Sequence, residues 1–200
     1  MKTNFWICWI ILLTLGLGGA AARAETPTDY VRGILDKVMA IQNNPALVGA
    51  AHEAERGKLI HEIIEKSFDF PLMAKTSLGP TYDQISSGQC REFTDIFSYL
   101  FQDSYTRLVL NFLKQETIKY QQERQENGKA QVDTILLRKN ESIPVNYLMH
   151  RQRQGWVLYD VMVDGVSILD NYKSQFARVI QTQSFQALLN KMQTQQRAIK

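Results

Sequence analysis

The apolar residues of this chain change period once, after Lys114, and that change limits the possible folds more than any other feature. Before it, apolar positions recur every three or four residues, as on one side of a helix; after it they alternate, as on a strand. Residues 28–43 carry Val31, Leu35, Val38 and Met39 at helical spacing, closed by Asn43-Asn44-Pro45. A second helix is expected over 50–67, with Leu59, Ile60, Ile63 and Ile64 inward. Pro71 suits the first turn of a short helix holding Leu72, Met73 and Ala74, stopped by Leu78-Gly79-Pro80. Ser86-Ser87 precedes a long helix to Leu113, whose stripe of Phe93, Phe97, Phe101, Leu108 and Phe112 is wide and aromatic.

Past Lys114 the pattern predicts four strands, at 117–122, 130–138, 143–151 and 156–163. Their links are short and polar, and Asn127-Gly128 is a hairpin turn signal, so the strands pair antiparallel. Asp164-Gly165 ends the last strand, and helices over 168–181 and 184–195 close the chain, the second capped by Ser184. With no repeat or linker visible, residues 25–200 read as one α+β domain: N-terminal helices, a four-stranded twisted antiparallel sheet, and C-terminal helices.

The last strand is apolar apart from Asp160. Strict alternation puts Trp156, Leu158, Asp160 and Met162 on one side and Val157, Tyr159, Val161 and Val163 on the other. A strand with one wet face would alternate with polar residues, so apolar material is expected on both sides of the sheet. Helices on both sides would do this; so would helices on one side and a bound apolar ligand on the other.

Residues 1–24 read as an export signal rather than as part of this domain. Lys2 precedes an apolar run over 5–17, and Ala22-Arg23-Ala24 fits a signal-peptidase site. The run is short against the roughly 20 residues of a bilayer span. Cleavage after Ala24 leaves a chain of 176 residues in a periplasmic compartment, with 21 basic and 20 acidic side chains. That near-neutral balance lacks the clustered cations that nucleic acid requires. A content of 44% hydrophobic and 10% aromatic residues excludes a disordered chain and allows a core large enough to hold a cavity. Cleavage also removes Cys8, so Cys90 has no partner for a disulfide and supports no cysteine-based zinc site.

Catalytic constellations are not found. His52 and His61 lie on opposite sides of their helix, and His61-Glu62 has no second histidine at zincin spacing. Gly165-Val166-Ser167 lacks the second glycine of a nucleophile elbow, and no phosphate-cradling glycine loop is present. Asp160 and Asp164 are a weak carboxylate pair, since the second belongs to a turn. The chain is therefore read as a non-enzyme without a cofactor or metal.

Two stretches carry a resemblance. Phe68-Asp69-Phe70, Met73-Ala74 and Ser77-Leu78-Gly79 resemble the FDF..MA...LG signature of the MlaC family of periplasmic phospholipid carriers, also named toluene-tolerance proteins. Tyr159 to Phe176, through Gly165-Val166-Ser167 and Asn171-Tyr172-Lys173, is similar to that family's YDv.veGvSl..NYrsqF block. Tyr82, Asp164 and Lys173 depart from it where Trp, Glu and Arg are common, and Lys173 cannot supply a bidentate guanidinium contact. The resemblance implies a nuclear-transport-factor-like fold enclosing an apolar pocket, with the lipid head group near solvent. It also implies that phospholipid is cargo, with no other cofactor, carried by a monomer between an outer-membrane lipoprotein complex and an inner-membrane ABC transporter bearing an MCE domain. Such shuttling would maintain outer-membrane lipid asymmetry. A hopanoid-carrying branch of the family and a lipid-free periplasmic adaptor are the alternative readings.

On this reading the lipid-binding residues come from the strands and facing helices: Tyr105, Leu108, Val132, Val145, Tyr147, Met149, Val161 and Val163, with Phe70, Met73 and Leu78 at an edge. Ordinary core packing is the competing role for each. Asp160, Asn171 and Tyr172 are expected to pin the first closing helix to the sheet.

Overall fold

A computed structural model describes residues 25–199; the expected export signal at 1–24 lies outside the described residues. Helix α1 (Pro27–Gln42) starts where the Thr26 hydroxyl accepts the Asp29 N–H at 3.0 Å. Helix α2 (Glu53–Ser67) follows a short 3-10 turn, Ala50–His52. Helix α3 (Phe70–Leu78) is capped by Asp69, whose Oδ1 accepts the Leu72 N–H at 3.0 Å. A capping box of Ser86 and Gln89 opens the long helix α4 (Ser87–Phe112).

Strands β1 (Thr117–Glu126), β2 (Lys129–Arg138), β3 (Glu141–Gln152) and β4 (Gly155–Val163) form an antiparallel meander. The sheet has five strands rather than the four expected. Asp164-Gly165 ends β4 as expected, but with φ of 50° and 77° they turn the chain back so that β5 (Val166–Ser167) pairs with Met162 and Val163. Asn127 and Gly128, with φ of 50° and 75°, make the same kind of turn between β1 and β2. Helices α5 (Ile168–Thr182) and α6 (Phe185–Ile199) complete the α+β architecture, and Ser184 caps α6 through the Ala187 N–H.

A bulge in β4 overturns strict alternation. Leu148 pairs with Asp160 but its neighbour Met149 pairs with Leu158, so Tyr159 is an extra residue. Paired residues share a face in an antiparallel ladder. Val163 with Val145, Val161 with Tyr147, Leu158 with Met149 and Trp156 with Arg151 therefore all lie on one side. The sequence pattern had separated Trp156 and Leu158 from Val161 and Val163.

The expectation that both sides are covered is also corrected. The core draws on Val132, Leu136, Ile143, Val145, Tyr147, Met149, Leu158 and Val161 from this inner face, packed against the helices. The opposite face holds Ile135, Leu137, Leu148, Val157 and Met162, half-buried and outside that core. Its polar positions join in a network in which Asp133 accepts from Gln131 at 2.7 Å, Asn146 at 2.6 Å and Arg124 at 2.7 Å. Neighbouring strands shelter these apolar side chains laterally, which makes a covering layer unnecessary.

The bulge leaves the Asp160 carboxylate able to reach the start of α5. It accepts from Ser167 Oγ at 2.5 Å, the Leu169 N–H at 3.0 Å and the Val161 N–H at 2.8 Å. Burial holds this carboxyl above the ordinary carboxylate range, although the Ser167 hydroxyl and the two N–H groups pull it down. A carboxyl whose folded pKa exceeds its unfolded value binds its proton more tightly when folded, so its contribution to stability grows as pH falls between the two. Asp160→Asn cannot titrate there. Wild-type protein is expected to gain stability relative to Asp160→Asn from about pH 7 to about pH 4, read from urea midpoints. A flat difference, or one of opposite slope, would show that burial does not dominate at this carboxyl.

Candidate ligand-binding cavity

Along α4 the side chains change in kind. Phe93, Phe97 and Phe101 point toward α5 and α6, and Phe97 meets Phe176 and Tyr172 edge-on at 6.2 and 5.5 Å. From Tyr105 onward α4 faces the part of the sheet made of short or branched side chains, Thr134, Val145, Val161 and Val163. Those residues do not fill the gap. A cavity of about 210 Å³ results, walled by α4, the inner sheet face and the start of α5. Its wall is uncharged, and Thr134, Ser167 and Asn171 supply polar atoms beside the phenols of Tyr105 and Tyr147. Phe112 and Val166, 41% and 61% exposed, are apolar residues at its wall that meet solvent.

A second cavity of about 390 Å³ lies between α4, α5 and α6. The two share Tyr105, Leu108, Ile168 and Asn171 as lining residues, so they adjoin across the first turn of α5. The sheet-side cavity alone is below the roughly 300–1,000 Å³ usual for small-molecule sites; with its neighbour it falls within that range.

Of the eleven residues expected from sequence, Tyr105, Leu108, Val145, Tyr147, Val161 and Val163 line the sheet-side cavity. Five do not. Val132 and Met149 share the same sheet face but are packed into the solid part of the core, at 1% and 0% exposure. Phe70, Met73 and Leu78 belong to the buried side of α3, and Phe70 packs its ring on Phe101 at 5.9 Å. The Phe68-Asp69-Phe70 stretch therefore fastens α3 to the sheet. The Asp69 N–H donates to the Leu158 carbonyl at 2.8 Å, and its Oδ2 meets His150 Nε2 at 2.8 Å and Gln152 Nε2 at 2.7 Å.

Lining residues absent from the expectation are Val109, Phe112, Leu113, Ile118, Thr134, Leu136, Ile143, Val166, Ser167, Ile168 and Asn171. Ile143 was accessible from alternation, two residues before Val145, and Leu136 pairs with it. Phe112 stood out in the sequence only as part of the α4 stripe and Val166 not at all; their place at one cavity comes from the tertiary fold. Asp160 holds the first turn of α5 as expected, whereas Asn171 and Tyr172 also line cavities.

Among the described residues no group of three His, Cys, Asp or Glu could hold a metal, and no helix is long and apolar enough to cross a membrane. Cys90 is half-buried, its Sγ 3.5 Å from the Tyr82 carbonyl. Burial drives the phenol of Tyr147 well above its ordinary range, and burial with the nearby Asp160 charge drives Tyr105 up too.

A family model described as MlaC protein matches residues 32–194. The chain is 25% identical over 122 residues to the intermembrane phospholipid transport system binding protein MlaC of Haemophilus influenzae, across 58% of this chain and 56% of that protein. It thus matches only a little over half of that relative's length. The fold is shared with a phospholipid-binding protein from Ralstonia solanacearum solved in complex with a phospholipid, at a TM-score of 0.72. Identity there is 22%, covering 84% of this chain and 96% of that one.

If Tyr105 and Tyr147 are as dry as the packing makes them, alkaline difference spectra of native protein should show both phenols ionising only above the ordinary value of about 10. Tyr147→Phe should remove one late-titrating phenol and leave the early ones unchanged. A variant that loses an early step instead would mean that water reaches this end of the cavity.

Proposed function

The chain belongs to the MlaC family, and on that premise we propose that it is a periplasmic phospholipid carrier. It is exported by a signal cleaved after Ala24, works as a monomer without a cofactor, and performs no chemistry on its cargo. Its task is to carry phospholipid between an outer-membrane lipoprotein complex and an inner-membrane MCE-domain ABC transporter, which maintains outer-membrane asymmetry.

The observation that carries this reading is the uncharged cavity between α4 and the sheet, with apolar Phe112 and Val166 standing in solvent at its wall. Apolar surface is exposed where a ligand enters and leaves rather than where a core is sealed. The need for such a cavity is thermodynamic. About 30 acyl methylenes at about 0.8 kcal/mol each make exposure of a phospholipid to water unfavourable by on the order of 24 kcal/mol. A carrier has only to approach the bilayer in affinity, which dispersion and desolvation achieve without directed polar bonds. Which membrane receives the lipid then depends on the partners, since the carrier's own binding equilibrium has no direction. Alternating partners call for small interfaces.

Mature protein purified from the periplasm without detergent should yield near-stoichiometric diacyl phospholipid on organic extraction and mass spectrometry. A hopanoid in its place would assign the chain to the neighbouring branch. An empty protein that also takes nothing from vesicles would overturn the carrier reading and favour the adaptor. Tyr147→Glu sets a carboxylate among the acyl chains and should abolish lipid retention in a folded protein. Normal lipid content in that folded variant would remove Tyr147 from the binding surface.

A further inference from the structure

The cavity between α4, α5 and α6 differs from its neighbour in that its wall carries a charge. Lys191 of α6 is the one ionised side chain lining either cavity among the described residues, and no carboxylate accompanies it. It makes no hydrogen bond or ion pair with another described residue, whereas Lys75 pairs with Asp83 and Arg124 with Asp133. Amide side chains of Asn171, Gln175 and Gln195 and the Ser104 hydroxyl line the same cavity. Phe97, Phe101 and Phe176 form its apolar back.

A two-chained lipid does not fit into about 210 Å³, so whatever enters the sheet-side cavity must continue beyond it. The adjoining space is this one, across Tyr105 and Asn171. Its chemistry is that of an amphiphile's junction, with rings for methylenes, amides for ester and glycerol oxygens, and a free ammonium for an anion. Lysine serves phosphate as a compact point charge. Resting on the carrier reading, the geometry points to α6 as the element that reads the head group, with the lipid phosphate against Lys191 and the amides of Asn171, Gln175 and Gln195 beside it. Because no carboxylate lines the cavity, a cationic substituent beyond the phosphate meets no opposite charge there. The phosphate is read by charge and its substituent is not.

The test uses delipidated mature protein and vesicles doped with either phosphatidylglycerol or a diacylglycerol of identical chains. Lys191→Gln should lower uptake of phosphatidylglycerol about fivefold, the effect of a partly exposed charge pair, and leave diacylglycerol uptake unchanged. Lys191→Arg should restore uptake, Lys191→Glu should lower it further, and added salt should shrink the wild-type preference. Lys191 is exposed, so these variants should fold. Unchanged phosphatidylglycerol uptake by Lys191→Gln, or equal loss of both lipids, would overturn the head-group assignment and leave the carrier standing. Wild-type protein that takes up neither lipid would overturn both. Glycerol phosphate, which has the anion without chains, should fail to displace bound lipid. Displacement would make Lys191 a site for free anions and not for a head group.

Discussion

The carboxylate of Asp160 decides where the closing helices begin, and the cavities depend on where they begin. Its three accepted hydrogen bonds, from Val161, Ser167 and Leu169, tie the end of β4 to the first turn of α5. That turn presents Ile168 and Asn171, which form the boundary shared by the two cavities. A buried carboxylate is unfavourable in an apolar setting unless its lone pairs are satisfied, and here hydroxyl and backbone donors satisfy them. The bulge at Tyr159 makes this geometry possible. Without the extra residue, strict alternation would put Trp156 and Leu158 on the opposite face from Val161 and Val163.

The second determinant is how volume is distributed along α4. Three phenylalanines form an aromatic cluster along one half, and their rings pack with those of Phe68, Tyr172 and Phe176. Toward Phe112 the facing residues are too small to close the gap. A sealed void of about 210 Å³ would destabilise a core by on the order of 5 kcal/mol. An opening bordered by exposed Phe112 and Val166 therefore gives up stability for space, as binding sites commonly do.

The two motifs behind the family resemblance divide the work differently from what their sequences imply. The block from Tyr159 to Phe176 builds the site: it contains the bulge, the Asp164-Gly165 turn, the Asp160 anchor and the shared boundary at Ile168 and Asn171. Of the Phe68-Asp69-Phe70 stretch only Phe70 was expected at a pocket edge, and the stretch fastens α3 through the Asp69 cap and its bonds to His150 and Gln152. Reading it correctly requires knowing that residues 69 and 150 meet, a pairing that local spacing does not encode.

Local interactions are written in the chain itself, which is why the helices, the four long strands and the Asn127-Gly128 hairpin are legible in the sequence. Caps, turn residues and apolar period act over a few neighbouring positions, so each can be evaluated where it stands. Six of the wall residues were legible for the same reason, because they lie on predicted elements at inward positions. The bulge, the uncovered outer face and the placement of Phe112, Val166 and Lys191 at cavity walls were not legible. Each depends on which distant surfaces meet and on how much volume their side chains leave between them. That balance is set by packing across the whole core, and no stretch of this sequence contains it.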